Sequence, residues 1–149
     1  MLHQIIYHSR YHPGSGGISA QLRDIIAVSQ RNNGRNRVTG FLIFDKTHFI
    51  QILEGEHADV EATFERLSQD IRHENITVIE RRAADVRQFT DWSMGGCVRS
   101  PNMQHIYDRF GFGADADLTG ADPDAVVALA QEIGRFEMER ARTRGLSGY

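Results

Sequence analysis

The stretch that decides the fold is Phe49-Ile50-Gln51-Ile52-Leu53-Glu54-Gly55, an apolar, strand-like run with an uncharged amide at its centre. A buried amide must find hydrogen-bond partners or it costs on the order of 1–3 kcal/mol. Gln51 therefore stands either on a solvated edge or against something polar. Read with Tyr7 upstream and Trp92 downstream, it points to a polar ligand packed on a sheet.

Elements build outward from this run. Leu2 to Arg10 reads as a first strand, with Leu2, Gln4, Ile6 and His8 on one face and His3, Ile5, Tyr7 and Ser9 on the other. Pro13-Gly14-Ser15-Gly16-Gly17 ends it. Ser19 can cap a helix with the stripe Leu22, Ile25, Ile26 and Ser29, closed at Asn33-Gly34. Val38 to Phe44 and His48 to Leu53 form a hairpin across Asp45-Lys46-Thr47. Val60, Phe64, Leu67 and Ile71 recur at helical spacing, with Glu56 and Asp59 near the start. Ile76 to Arg82 and Trp92 to Val98 complete five strands. The order βαββαββ predicts an α+β, ferredoxin-like fold, with two helices on one face of a mixed five-stranded sheet.

After Pro101 the character changes. A short helix over about 103–110, a loop rich in Gly, Ala and Asp, and a helix over about 122–144 are expected on or beyond the other face. Asp122-Pro123 supplies a cap and a first-turn proline, and Val126, Leu129, Ala130, Ile133 and Phe136 supply the stripe. This divides the chain into a domain over 1–100 and a helical extension over 101–149.

Composition narrows the function classes. The 149 residues are 40% hydrophobic and 25% charged, which is ordinary for a globular domain. A net charge of −3 argues against a broad nucleic-acid footprint. The lone cysteine, Cys97, fits a reducing compartment. The first residues lack the pattern of a signal peptide, and no apolar run approaches the roughly 20 residues that cross a bilayer. A cytoplasmic chain without membrane or nucleic-acid partners is expected.

Six separated segments together resemble the BLUF family, the blue-light sensors that use a flavin. They are Ile5-Ile6-Tyr7-His8-Ser9-Arg10, Arg31-Asn32-Asn33, Thr39-Gly40-Phe41-Leu42, Phe49 to Gly55, Asp70-Ile71-Arg72-His73 and Phe89-Thr90-Asp91-Trp92-Ser93-Met94. The resemblance spans roughly residues 2–100. Two departures stand out: a longer, glycine-rich segment from Tyr11 to Ile18, and Ile71 where the family commonly has proline.

The resemblance implies a flavin site, with FAD as the flavin and FMN or riboflavin as alternatives. Ile25 and Leu67 would flank the ring, although as apolar helix residues they also read simply as core. Asn33 would offer its amide to a ring carbonyl and nitrogen, with Asn32 as neighbour. On their own the two asparagines read as a helix stop. Arg72 would sit near the flavin carbonyl or the phosphate-bearing tail, and otherwise reads as a solvated charge at a helix end. Asp70 and His73 flank it, and by themselves read as local capping partners. Tyr7 would be the photochemical partner, Gln51 the switching amide, and Trp92 and Met94 an exchangeable pair, with Ser9 supporting whichever side chain docks. Core packing is the plain alternative for Tyr7 and Trp92.

The function so implied is a blue-light photoreceptor, not an enzyme. It would form a homo-oligomer and pass its signal through strand five and the C-terminal helices to a separate signalling protein. A small ferredoxin-like enzyme, or a flavin-binding protein without light signalling, is the alternative. The seven histidines invite the enzyme reading but show no zinc-ligand spacing, and no metal site is expected. An RNA-recognition domain shares the element order, but the fourth strand lacks its aromatic signature.

Overall fold

The computed structural model describes residues 2–11, 17, 22–24, 26–27, 31, 37–45, 47–69, 73–89, 95–114 and 117–148. Five strands form one sheet: β1 (Leu2–Tyr11), β2 (Thr39–Asp45), β3 (His48–Glu56), β4 (His73–Ala83) and β5 (Gly95–Val98), in the order β4-β1-β3-β2-β5. The first four pair antiparallel, and β5 joins the β2 edge in parallel. This is the mixed, ferredoxin-like sheet that the element order predicts. β4 starts three residues before its expected first residue and bulges there. His8 faces Thr77 and Arg10 faces Glu74, so two residues of β4 span one of β1. One of the two is Asn75, with φ of 50°, a left-handed conformation that asparagine tolerates well.

One face carries α1 (His57–Ser68), where Val60, Thr63 and Leu67 are buried at helical spacing. Residues 22–24, 26–27 and 31 are also helical. Leu22 shares a core with Val60, Leu67, Ile5, Tyr7, Leu42, Phe44, Phe49 and Leu53, and Ile26 packs against it. The expected helix positions Ile25, Asn32, Asn33 and Ile71 lie outside the described residues.

The opposite face is covered too. α2 (Gln104–Arg109) and α3 (Pro123–Gly148) lay Ile106, Tyr107, Val126, Leu129, Ala130 and Ile133 on Ile6, Phe41, Ile43, Ile50 and Ile52. The C-terminal helices are thus part of one core with the sheet. Arg99, just after β5, pairs with the buried carboxylate of Asp45 at 3.2 Å and lies over the Tyr107 ring, 4.5 Å from its centroid. Its guanidinium also donates to the carbonyl of Gly113 at 2.8 Å.

Both faces of β3 are therefore dry, yet Glu54 is fully buried. Its carboxylate accepts from Gln4 Nε2 at 3.0 Å and from the backbone N–H groups of Gln88 and Phe89 at 2.7 and 2.9 Å. Arg82 Nε donates to Gln4 Oε1 at 2.9 Å, and Arg82 also reaches Asp124 of α3 at 2.6 Å. A buried carboxylate survives only with such partners. Here it anchors the connection from β4 to β5.

Two outcomes follow for stability and reactivity. Glu54→Leu strands the Gln4 amide and two backbone donors, and should cost on the order of 3 kcal/mol, read as a lower urea midpoint. Burial pushes the Cys97 thiol up to about 12. Native protein at pH 8 should therefore resist iodoacetamide, while urea-unfolded protein is alkylated. Rapid labelling of the native chain would contradict the buried placement.

Candidate functional site

Strand register builds the site. Tyr7 of β1 is the direct cross-strand partner of Gln51 of β3. Continuing across the sheet, Val78, Tyr7, Gln51, Leu42 and Gly96 form one lateral row. Residues in such a row point to the same face, which here is the face that carries α1. Tyr7 is 1% exposed, while Gln51 and Ser9 are fully buried.

The Tyr7 hydroxyl donates to Gln51 Oε1. An amide carbonyl accepting from a phenol in a dry environment is a strong restraint on both side chains. Phe64 of α1 packs edge-on against the Tyr7 ring, with centroids 5.0 Å apart and planes at 71°. Leu67, one turn along, is buried in the same cluster. At the far end of the row, a Cβ added to Gly96 would sit 2.6 Å from Ile26 Cδ1 and 2.9 Å from the Leu42 carbonyl oxygen. Glycine at this point lets the helical residues near Ile26 come down onto the sheet.

Four of the residues expected to form the site are thus brought to one face: Tyr7, Ser9, Gln51 and Leu67. His73 opens β4, opposite Tyr11, at the end of β1 beyond Ser9. Ile25, Asn32, Asn33, Asp70, Arg72, Trp92 and Met94 lie outside the described residues. Thr63 was not singled out by sequence reasoning. It is fully buried on the sheet-facing side of α1, and its Oγ1 has no hydrogen-bond partner among the described residues. The signal was present: Thr63 stands three residues after Val60 and four before Leu67, on the apolar stripe.

The chemistry of this set fits the edge of a flat heterocycle bearing carbonyl and N–H groups. Gln51 offers both a donor and an acceptor in one planar unit, Tyr7 a hydroxyl able to donate or accept, and Thr63 a further buried hydroxyl. Phe64 and Leu67 supply the apolar surround. No helix among the described residues is long and apolar enough to cross a membrane.

Comparison with known proteins gives the family and the fold. The family described as "Sensors of blue-light using FAD" matches residues 2–95. The blue light- and temperature-regulated antirepressor BluF of Escherichia coli (strain K12) is 33% identical over 89 residues, covering 60% of this chain and 22% of that protein. The chain therefore spans under a quarter of the length of that relative. The photo-activated state of BlsA superposes with a TM-score of 0.78 at 26% identity, over 89% of this chain and 94% of that one. The dark-state structure of BlrB gives a TM-score of 0.73 at 28% identity, with the same coverage. Family match and fold converge: the chain belongs to the BLUF family of flavin-using blue-light sensors.

Proposed function

We propose that this chain is a blue-light photoreceptor whose switching element is the Tyr7–Gln51 pair. The observation that carries this reading is the Tyr7 hydroxyl held on the Gln51 carbonyl in a dry interior. Flavin, read as FAD, supplies a blue-absorbing ring that is strongly oxidising when excited. Ile25, Leu67, Asn33 and Asn32, with Arg72, Asp70 and His73 toward the tail, would hold it.

The residues themselves do the rest. Tyr7 is a phenol that would give such a ring an electron together with the proton it keeps against Gln51 Oε1. Phenylalanine has no such proton. Once that donor is lost, Gln51 can turn its amide or shift tautomer. The C=O and NH2 ends have nearly one shape and opposite hydrogen-bond roles, so the volume is unchanged while the pattern offered to its neighbours inverts. Ser9, two residues beyond Tyr7 on the same face, would support Trp92 or Met94 as one replaces the other beside Gln51.

We read residues 1–100 as the sensing domain and 101–149 as its output extension, in a cytoplasmic protein without catalytic activity of its own. Its signal would leave through β5, α2 and α3 to a homo-oligomer or a separate protein. The shared core between α3 and the sheet supports this route.

The test is spectroscopic. Purified protein should be yellow, and blue light should shift its flavin absorption to the red, with recovery in the dark. Tyr7→Phe and Gln51→Leu should each retain the flavin and lose the shift. Tyr107→Phe alters a buried tyrosine on the opposite face and should keep it. A full photocycle in the Tyr7 or Gln51 variant would remove that residue from the mechanism. Colourless protein that takes up no flavin would overturn the proposal.

A further inference from the structure

Away from the Tyr7–Gln51 pair, three metal-ligating side chains meet where β1 and α1 begin. His3 of β1, His57 at the first position of α1 and Glu61 one turn later offer ligand atoms that all lie within 4.8 Å of one another. The topology makes this meeting. His3 faces Gly55 across the β1–β3 pair, and the chain turns from β3 directly into α1 at His57. Spacing of i and i+4 then puts His57 and Glu61 on one side of the helix.

The spacing of the ligands matches a metal better than a hydrogen bond. His3 Nε2 lies 3.4 Å from Glu61 Oε2. It is buried and makes no hydrogen bond among the described residues. An imidazole nitrogen beside a carboxylate oxygen at this range is held together either by a proton on the ring or by a shared cation. Two ligands on a tetrahedral zinc, each about 2.0–2.1 Å from the ion, stand about 3.3–3.4 Å apart. The His3–Glu61 separation already has that length. His57 is exposed, and its ring stands 4.5 Å from the His3 ring at 67°. Its ligand atom lies within 4.8 Å of the other two, so it must move closer to complete the third position.

One neighbour competes. Arg81 Nε donates to the same Glu61 oxygen at 3.2 Å, and the guanidinium lies 5.2 Å from the Phe64 ring centroid. Arg81 is 46% exposed, so it can withdraw to solvent or keep one carboxylate oxygen while the ion takes the other. We propose that His3, His57 and Glu61 form a binding site for a divalent transition-metal ion of the zinc type, with water as fourth ligand. Two imidazoles and one carboxylate favour zinc, copper or nickel over magnesium or calcium. A bound ion would pin the first turn of α1, the helix whose Phe64 covers Tyr7, to the strand that carries Tyr7.

The test uses the full chain in the dark with zinc alone, followed by calorimetry. One zinc per chain is expected, with affinity lower by about ten-fold or more in His57→Gln and in Glu61→Gln. His57 is exposed, so its substitution leaves the fold intact, which circular dichroism verifies. His105→Gln, a control on α2, should bind zinc as the parent does. Cobalt should give the intense visible bands of a tetrahedral site in the parent and lose them in His57→Gln. Absence of stoichiometric zinc binding, or unchanged affinity in His57→Gln, overturns the proposal. The titration reads the metal directly, so its answer stands whether or not the chain carries flavin.

Discussion

The register of β1 on β3 is the constraint from which the rest follows. A slip of one residue would carry Tyr7 and Gln51 to the wrong face, because side chains alternate with a period of two. A slip of two would keep the faces but separate the partners. Two polar pairs forbid it. Tyr7 meets Gln51 on the α1 face, and Gln4 meets Glu54 on the opposite face. Both pairs belong to the same alignment, and in it all four of these buried side chains are hydrogen-bonded. Hydrophobic alternation chooses the face, and the two polar contacts choose the position along it.

Glu54 has a second consequence. It sits three residues from Gln51 on the same central strand, and its carboxylate holds the backbone at Gln88 and Phe89. Gln88 is held from the other side by Gln131 of α3, which donates to its side-chain oxygen at 2.8 Å and its carbonyl at 3.1 Å. The connection leading toward β5 is therefore fastened at once to the strand that carries Gln51 and to the final helix. These contacts must be kept or broken together if the two faces communicate.

Much of this was legible in the sequence. The alternation of Ile5, Tyr7 and Ser9 against Gln4, Ile6 and His8 fixed the faces of β1, and the stripe Val60, Phe64, Leu67 fixed the buried side of α1. Pro123 marked the start of α3 to the residue. Other features were hidden for physical reasons. Glu54 and Gln4 look like ordinary solvated strand residues until the C-terminal helices close over their face. Those helices were expected on or beyond that face, because an amphipathic stripe does not say what it will cover. The bulge at Asn75 depends on β4 pairing with a strand far away in sequence. His3, His57 and Glu61 belong to two elements, so no local spacing rule brings them together. Thr63 was readable as a stripe position, but a buried threonine gains meaning only when its hydroxyl lacks a partner.

Magnitude decides where an output can arise. Exchanging one hydrogen bond at Gln51 changes the balance by about 0.5–1.5 kcal/mol. Inverting a two-state equilibrium takes about 5.5 kcal/mol. The amide alone therefore cannot command the sheet, whose central strands are locked by core on both faces. On the reading proposed above, it would bias an element that is already weakly held. β5 has that character: four residues, paired only with β2 among the described strands, on the sheet edge. Its far end runs straight into Arg99, which grips Asp45 of β2, the Tyr107 ring of α2 and the carbonyl of Gly113. A shift of β5 along β2 must either break that buried guanidinium cluster or carry α2 with it. Breaking it leaves a buried charge without its partner, at a cost of about 3–5 kcal/mol. Carrying α2 keeps the ion pair only if Asp45 and the loop at Gly113 follow. On the reading proposed above, the pair survives only a movement in which β5, Arg99, Asp45 and α2 shift together.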